Sequence, residues 1–225
     1  MGGAYFYPCC SYVYALHVYL EQAARLYWRL LWGCVPVGRT VDLSVCLCIK
    51  LFVAVMSRII LITGGQRSGK SSEAERIALS LSDNPVYVAT AHIWDEEFRE
   101  RVRRHQDRRG PQWTNIEEEM YLSHHDLSGC VVLIDCVTLW LTNFFFNSES
   151  DVDKSLEMAK AEFDAFTSHD ATYIFVTNEI GSGGVSENAI QRKFTDLEGW
   201  MNQYIASKAD EVILMVSGIP LKVKG

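Results

Sequence analysis

The sequence predicts an α/β fold in which a mostly parallel sheet is flanked by helices, and three observations carry that prediction. From Met56 onward, short and nearly all-apolar runs alternate with longer amphipathic stretches, the pattern of buried strands joined by crossover helices. The segment Gly64-Gly65-Gln66-Arg67-Ser68-Gly69-Lys70-Ser71 reads G-x-x-x-x-G-K-[ST] and directly follows the apolar run Ile59-Ile60-Leu61-Ile62-Thr63, the strand-to-helix setting of a phosphate-binding loop. Residues able to carry chemistry also recur just past the apolar runs, where ligands of such sheets lie.

In chain order, the first expected strand is Arg58–Thr63, followed by the phosphate loop and a helix over Lys70–Leu81. The second strand, Pro85–Thr90, runs into Ala89-Thr90-Ala91-His92, and a helix is expected over Asp95–Arg109. The third, Cys130–Asp135, ends in a carboxylate and precedes a helix over Asp151–Ser168. The fourth, Thr172–Thr177, leads into Asn178-Glu179, and a helix over Glu187–Lys208 brings the chain to the fifth strand, Glu211–Val216. Each of these strands is almost continuously apolar, as burial on both faces requires. After the turn Ser217-Gly218-Ile219-Pro220, Leu221–Lys224 is placed to pair back as an antiparallel hairpin strand.

Length and composition set bounds. The chain has 225 residues, 48% of them hydrophobic and 22% charged, enough for one domain with a real core. The formal charge of -7 argues against a general nucleic-acid partner, because a phosphate backbone is neutralised by a basic face. Residues 1–55 differ in kind: they hold Cys9, Cys10, Cys34, Cys46 and Cys48, many aromatics, and a surplus of two positive charges, so the remainder carries -9. The apolar run from Leu43 to Met56 is interrupted by Lys50 and is short for a membrane span, which takes about 18 to 20 apolar residues. A secreted disulfide framework is not expected either, since only Cys130 and Cys136 follow. The first core strand begins two residues after Met56. Residues 1–55 are therefore read as an upstream extension of doubtful origin and 56–225 as the enzyme domain. The rival reading of the extension is a membrane-interfacial anchor.

The phosphate loop predicts binding of a nucleoside triphosphate. Its glycines let successive N–H groups turn toward phosphate oxygens, and the helix opening at Lys70 adds its positive end. Lys70 would reach the terminal phosphates, and Ser71 would hold magnesium. Asp135, closing an apolar strand, is the expected second magnesium contact, with Glu179 and Glu117 as weaker candidates of the same kind. The stretch Arg99–Arg109 carries six arginines in eleven residues and reads either as a phosphate-facing helix or as a solvated face paired with Glu96, Glu97 and Glu100. Within it Phe98, Val102 and His105 share one helical face. On spacing alone, His105 fits a half-buried packing histidine better than a nucleophile. His92, His124 and His125 have lesser claims, and no His/Cys grouping has zinc-ligand spacing.

Taken together, these residues resemble the bifunctional adenosylcobinamide kinase / adenosylcobinamide-phosphate guanylyltransferase family of cobalamin biosynthesis. The likeness spans Met56 to Lys224. It is carried by Ile62 through Ser71, Tyr87-Val88-Ala89-Thr90-Ala91, Asp95-Glu96-Glu97 leading to Arg104-His105 and Arg109, Val176-Thr177-Asn178-Glu179-Ile180-Gly181, Asn202-Gln203, and Ala209-Asp210-Glu211-Val212 ending in Val216-Ser217-Gly218. The resemblance implies a P-loop NTPase-like, RecA-like fold and two reactions at one nucleotide site. ATP or GTP phosphorylates adenosylcobinamide. His105, the residue matching the family's nucleophile, then takes GMP from GTP as a covalent histidine–GMP and passes it to adenosylcobinamide phosphate, giving adenosylcobinamide-GDP. Lys70 would be catalytic beside it. Nucleotide contacts would fall on Gly64, Gly65, Gln66, Arg67, Ser68, Gly69, Lys70 and Ser71, on Ala89, Thr90 and Ala91, on Gln106, Asp107, Arg108 and Arg109, and on Glu117 and Asp135. Magnesium would sit at Ser71 and Asp135. A cytoplasmic homo-oligomer, preferably a trimer, is also implied. The chain departs from the common pattern at Ser186, Thr195 and Trp200, positions that bear on how the corrinoid is gripped. Two other readings fit the bare motif: a simple small-molecule kinase without a covalent intermediate, and a nucleotide-gated switch or binding protein.

Overall fold

A computed structural model of the chain describes residues Ser57–His92, Glu96, Glu100 and Gly110–Gly225. Residues 1–55, His105, Gln106, Asp107, Arg108, Arg109 and nearly all of the expected helix over Asp95–Arg109 lie outside the described residues.

The apolar runs form a seven-stranded sheet. Its strands are β1 (Arg58–Gly64), β2 (Val86–Ala89), β3 (Thr114–Glu117), β4 (Val131–Asp135), β5 (Thr172–Val176), β6 (Glu211–Val216) and β7 (Ile219–Lys224). They lie in the order β3-β2-β4-β5-β1-β6-β7, with every pair parallel except the β6–β7 hairpin. This is the expected architecture. The hairpin begins at Ile219, two residues before the expected start, because Ser217 and Gly218 both take positive φ (50° and 86°), as a two-residue turn between twisted strands requires.

Alternating side chains of the central strands point to opposite faces, so the sheet has two apolar layers. On one face Ile59, Leu61, Val132, Ile134, Tyr173 and Phe175 pack against α2 (Val137–Asn147), α3 (Val152–Thr167) and α4 (Ala189–Lys208). On the other, Ile60, Ile62, Leu133, Ile174, Val176 and Ile213 meet Ala74 and Ala78 of α1 (Lys70–Leu81). The small alanines let α1 lie close to the strands it follows, which fixes the phosphate loop at its head. Two of the helix starts are capped by side chains: Asp151 accepts from Lys154 N, and Asn188 from Ile190 N and Gln191 N.

Two elements go beyond the sequence reading. The edge strand β3 is mostly exposed, so its Thr-Asn-Ile-Glu run lacks the apolar signature of its neighbours. The helix α2 is apolar on nearly every side, burying Val137, Trp140, Leu141, Phe144 and Phe145, so no polar stripe marks a helical period. Among the described residues no helix is long and apolar enough to cross a membrane.

Trp140 anchors this layer. It is fully buried, its Nε1 donates to Met120 O at 2.9 Å, and its ring meets Phe144 edge-on at 5.2 Å. Trp140→Ala should destabilise the domain by about 3–5 kcal/mol, read as a lower urea midpoint with an unchanged slope.

Candidate active site

The phosphate loop leaves the carboxyl end of β1, an interior strand between β5 and β6. Gly64 is tightly enclosed there: a Cβ would lie 2.6 Å from Met215 O and 2.9 Å from Ser68 Oγ, so no side chain fits. Gly69 takes φ +96° as the N-cap of α1, a conformation that glycine adopts without strain. Lys70 opens α1 at 7% exposure. Its ammonium curls back to donate to Gly65 O at 2.7 Å, so it lies over the loop. Across the loop, Gly218 N donates to Ser68 O at 2.9 Å, tying the β6–β7 turn to the cradle.

A buried ammonium needs counter-charge, and each carboxylate that supplies it comes from a different element. Burial pulls the Lys70 pKa below the ordinary lysine value, while Cys136, Asp135, Glu198 and Glu179 act to raise it. Burial and the neighbouring Asp135 push the Cys136 thiol up to about 12, so at neutral pH it stays uncharged and the carboxylates do the holding. Asp135 ends β4, and Tyr87 Oη orients it by donating to Oδ2 at 2.9 Å. Glu179 follows β5; its Oε1 accepts from Thr63 Oγ1 at 2.5 Å and its N–H donates to Gly64 O at 3.1 Å. The run after β5 is thereby fastened to the base of the phosphate loop.

Behind Glu179 lies a closed polar network. Thr177 Oγ1 donates to Asn202 Oδ1 at 2.7 Å, and Asn202 Nδ2 donates to Asn178 O at 3.0 Å. Asn178 Nδ2 donates to Thr138 Oγ1 at 2.9 Å, and Thr138 Oγ1 donates to Glu198 Oε1 at 2.5 Å. Burial pushes the Glu198 carboxyl up to about 7, against the opposing pull of its bonds from Thr138 and Ile180 N–H. Sequence reasoning missed Thr138 and Glu198. The available signal was a polar pair four residues apart, Glu198 and Asn202, set within the buried stripe of Leu197, Met201 and Ile205 on α4.

The other expected site residues distribute as follows. Glu117, Ala89 and Asp135 stand in register on β3, β2 and β4, so the sheet brings them to one end, the end from which the loop departs. Gln66 and Arg67 are exposed in the loop, and Ser71 is half-buried in the first turn of α1. Thr90 is fully buried; its Oγ1 donates to Cys136 O at 2.9 Å and its carbonyl accepts from Asn143 Nδ2 at 2.9 Å. The Thr90 hydroxyl therefore clamps the end of β2 to the start of α2, and Ala91 follows it, half-buried. His92 is exposed, with Nδ1 at 2.8 Å from Glu119 Oε1.

The raised Glu198 pKa has a definite sign for stability. The folded protein holds this proton between the ordinary carboxyl value of 4.5 and about 7 while the unfolded chain does not, so stability falls as pH rises through that window. Glu198→Gln keeps an acceptor for Thr138 and cannot ionise. Urea unfolding should show the variant gaining on the parent by up to about 3 kcal/mol between pH 5 and pH 8.5; a pH-independent gap would contradict the assignment.

Comparison with known proteins places this arrangement. The sequence profile of the family described as cobinamide kinase / cobinamide phosphate guanyltransferase matches residues 60–223. The chain is 38% identical over 180 residues to the bifunctional adenosylcobalamin biosynthesis protein CobU of Escherichia coli (strain K12), covering 73% of this chain and 99% of that protein. It is 35% identical over 170 residues to the bifunctional adenosylcobalamin biosynthesis protein CobP of Pseudomonas aeruginosa, covering 73% and 96%. Among solved structures it is similar to a prototypical ATPase from a bacterial type III secretion system, with a TM-score of 0.45 and 11% identity over 71% of this chain and 51% of that one, a likeness too slight to build on. With the profile matched from β1 to β7 and relatives aligned over almost their whole length, the chain belongs to the cobinamide kinase / cobinamide phosphate guanyltransferase family.

Proposed function

We propose that this protein phosphorylates adenosylcobinamide with ATP or GTP and then transfers GMP from GTP to the product through a covalent histidine–GMP. The observation that carries the reading is the buried Lys70 ammonium, folded over a phosphate loop at the head of α1 and under the electrostatic pull of carboxylates from three other elements, within a chain of this family. In the kinase step the aminopropanol hydroxyl of adenosylcobinamide attacks the γ-phosphorus and the nucleoside diphosphate leaves. Lys70 holds the terminal phosphates in line and offsets their charge. In the second step a ring nitrogen of His105 attacks the α-phosphorus of GTP and pyrophosphate leaves. The phosphate of adenosylcobinamide phosphate then displaces the imidazole, giving adenosylcobinamide-GDP. Splitting one displacement into two in-line steps is the advantage of such an intermediate.

Magnesium suits the residues present. The Ser71 hydroxyl and Asp135 carboxylate are hard oxygen donors, and Tyr87 fixes the orientation of Asp135. Among the described residues no group of three or more His, Cys, Asp or Glu side chains is arranged to cage an ion. When bound, magnesium neutralises charge on the phosphates. We place Gly64 through Ser71, Ala89 through Ala91, Gln106 through Arg109, Glu117 and Asp135 around the nucleotide. We further propose a cytoplasmic homo-oligomer, a trimer by resemblance, and a separate extension over residues 1–55.

Intact-mass measurement after exposure to GTP and magnesium should show one added GMP, absent in His105→Ala. An unlabelled parent protein, or undiminished labelling of the variant, would leave a simple kinase. Lys70→Ala should lower both activities by about a hundred- to a thousandfold. His105→Ala should abolish GMP transfer while phosphorylation persists. Loss of both together in a folded His105 variant would refute the division of labour.

A further inference from the structure

Glu198 has no part in the reactions above, yet no other carboxylate among the described residues is as deeply buried, at 1% exposure. Its surroundings restrict what it can do. The Thr138 hydroxyl accepts from Asn178 N at 3.3 Å and from Asn178 Nδ2 at 2.9 Å, so its two lone pairs are used and its one proton must go elsewhere. That proton goes to Glu198 Oε1. Oε1 therefore accepts from Thr138 in either charge state. The carboxyl also accepts from Ile180 N–H, a bond that favours its charged form, while the Thr138-centred link joining α2, the run after β5 and α4 survives protonation.

The charge balance is different. Among the described residues, the charged and titratable groups that act on Glu198 are Lys70 from α1, which favours the carboxylate, and Glu179 from the run after β5, which opposes it. Glu198 in turn helps to raise the Cys136 thiol at the start of α2. Lys70 is shared among Glu198, Glu179 and Asp135. A triphosphate drawn into the loop engages that same ammonium, already the smallest of the influences on Glu198, and adds its own negative charge to the same corner. A carboxyl already held near neutrality by burial then has every reason to take a proton.

We propose that Glu198 is a positioning residue that binds a proton when the phosphate loop binds a triphosphate, its neutral carboxyl holding Thr138 and Asn178 in place while removing one negative charge from behind the cradle. This rests on the reading of the loop as a triphosphate site. It predicts a proton count that a purely structural glutamate would not produce, and a glutamine that reproduces the bound state.

The test is calorimetric titration of the full chain with magnesium–ATP, without corrinoid, in buffers of different ionisation enthalpy between pH 6.5 and pH 8.5. The parent protein should take up a substantial fraction of a proton, and its affinity should weaken with pH by up to about tenfold per unit, the limit for one linked proton. Glu198→Gln should bind as the parent does at its low-pH limit, without that uptake and with a nearly flat pH profile. Glu198→Ala, which leaves the Thr138 proton without its acceptor, should bind more weakly at every pH. Equal proton uptake in the parent and the glutamine variant overturns the proposal, as does an alanine variant that binds as tightly as the glutamine one. Absence of any magnesium–ATP binding by the parent would instead sink the triphosphate reading, and the proposal with it.

Discussion

Burial of one ammonium group organises this site. At 7% exposure Lys70 has given up most of its hydration, and a charge so placed is tolerable only with opposite charge held close by. The compensation cannot come from the loop itself, whose remaining side chains are Gln66, Arg67, Ser68 and Ser71. It comes from Asp135, Glu179 and Glu198, which the chain delivers at the end of β4, past the end of β5 and from the middle of α4. The order β4-β5-β1 makes this possible by setting β5 between the strand that ends in Asp135 and the strand that feeds the loop. Glu179 can then be bonded to Thr63 while Asp135 acts on the lysine from one strand farther away.

The same arrangement has an electrostatic consequence. Lys70 is opposed by carboxylates, and a triphosphate entering the cradle meets that same negative wall. Further positive charge has to accompany it. Arg67, exposed in the loop with φ 59°, is one source within reach of the loop. We propose magnesium as the second, and as the third the arginines concentrated between Arg99 and Arg109 in an otherwise acidic sequence. A site that first binds a triphosphate and then accepts a phosphorylated second substrate needs cations from more than one origin, because every phosphate added raises the cost of the next.

What the sequence disclosed follows from how local each feature is. The phosphate loop is contiguous, so eight residues sufficed to recognise it, and β1, β4, β5 and β6 are apolar enough to stand out singly. Asp135 could be picked out because strand and carboxylate are adjacent. By contrast α2, which buries Trp140, Leu141, Phe144 and Phe145 but also exposes the apolar Phe146, has no clean polar face to set a period, while β3 is an exposed edge whose strand character comes from pairing with β2. Glu198 was hidden for a different reason. A glutamate in a long amphipathic helix ordinarily points to water, and only the packing of α4 against Thr138 and the run after β5 turns this one inward.

The C-terminal hairpin shows why a peripheral element belongs with the chemistry. β7 is an edge strand exposed along its length, and by burial alone it adds little to the core. Its turn, however, takes two consecutive residues into positive φ and thereby aims Gly218 N at Ser68 O. A Cβ on Gly69 would lie 3.4 Å from Gly218 Cα, so turn and loop pack backbone to backbone. A phosphate loop holds a polyanion through the fixed directions of its N–H groups, and those directions are only as good as whatever stops the loop from relaxing outward. Here that support is the hairpin turn. The Val216-Ser217-Gly218 run is thus a buttress for the phosphate loop, set in place by an exposed edge strand whose Lys224 ties it to Ala206 O and Ser207 O at the end of α4.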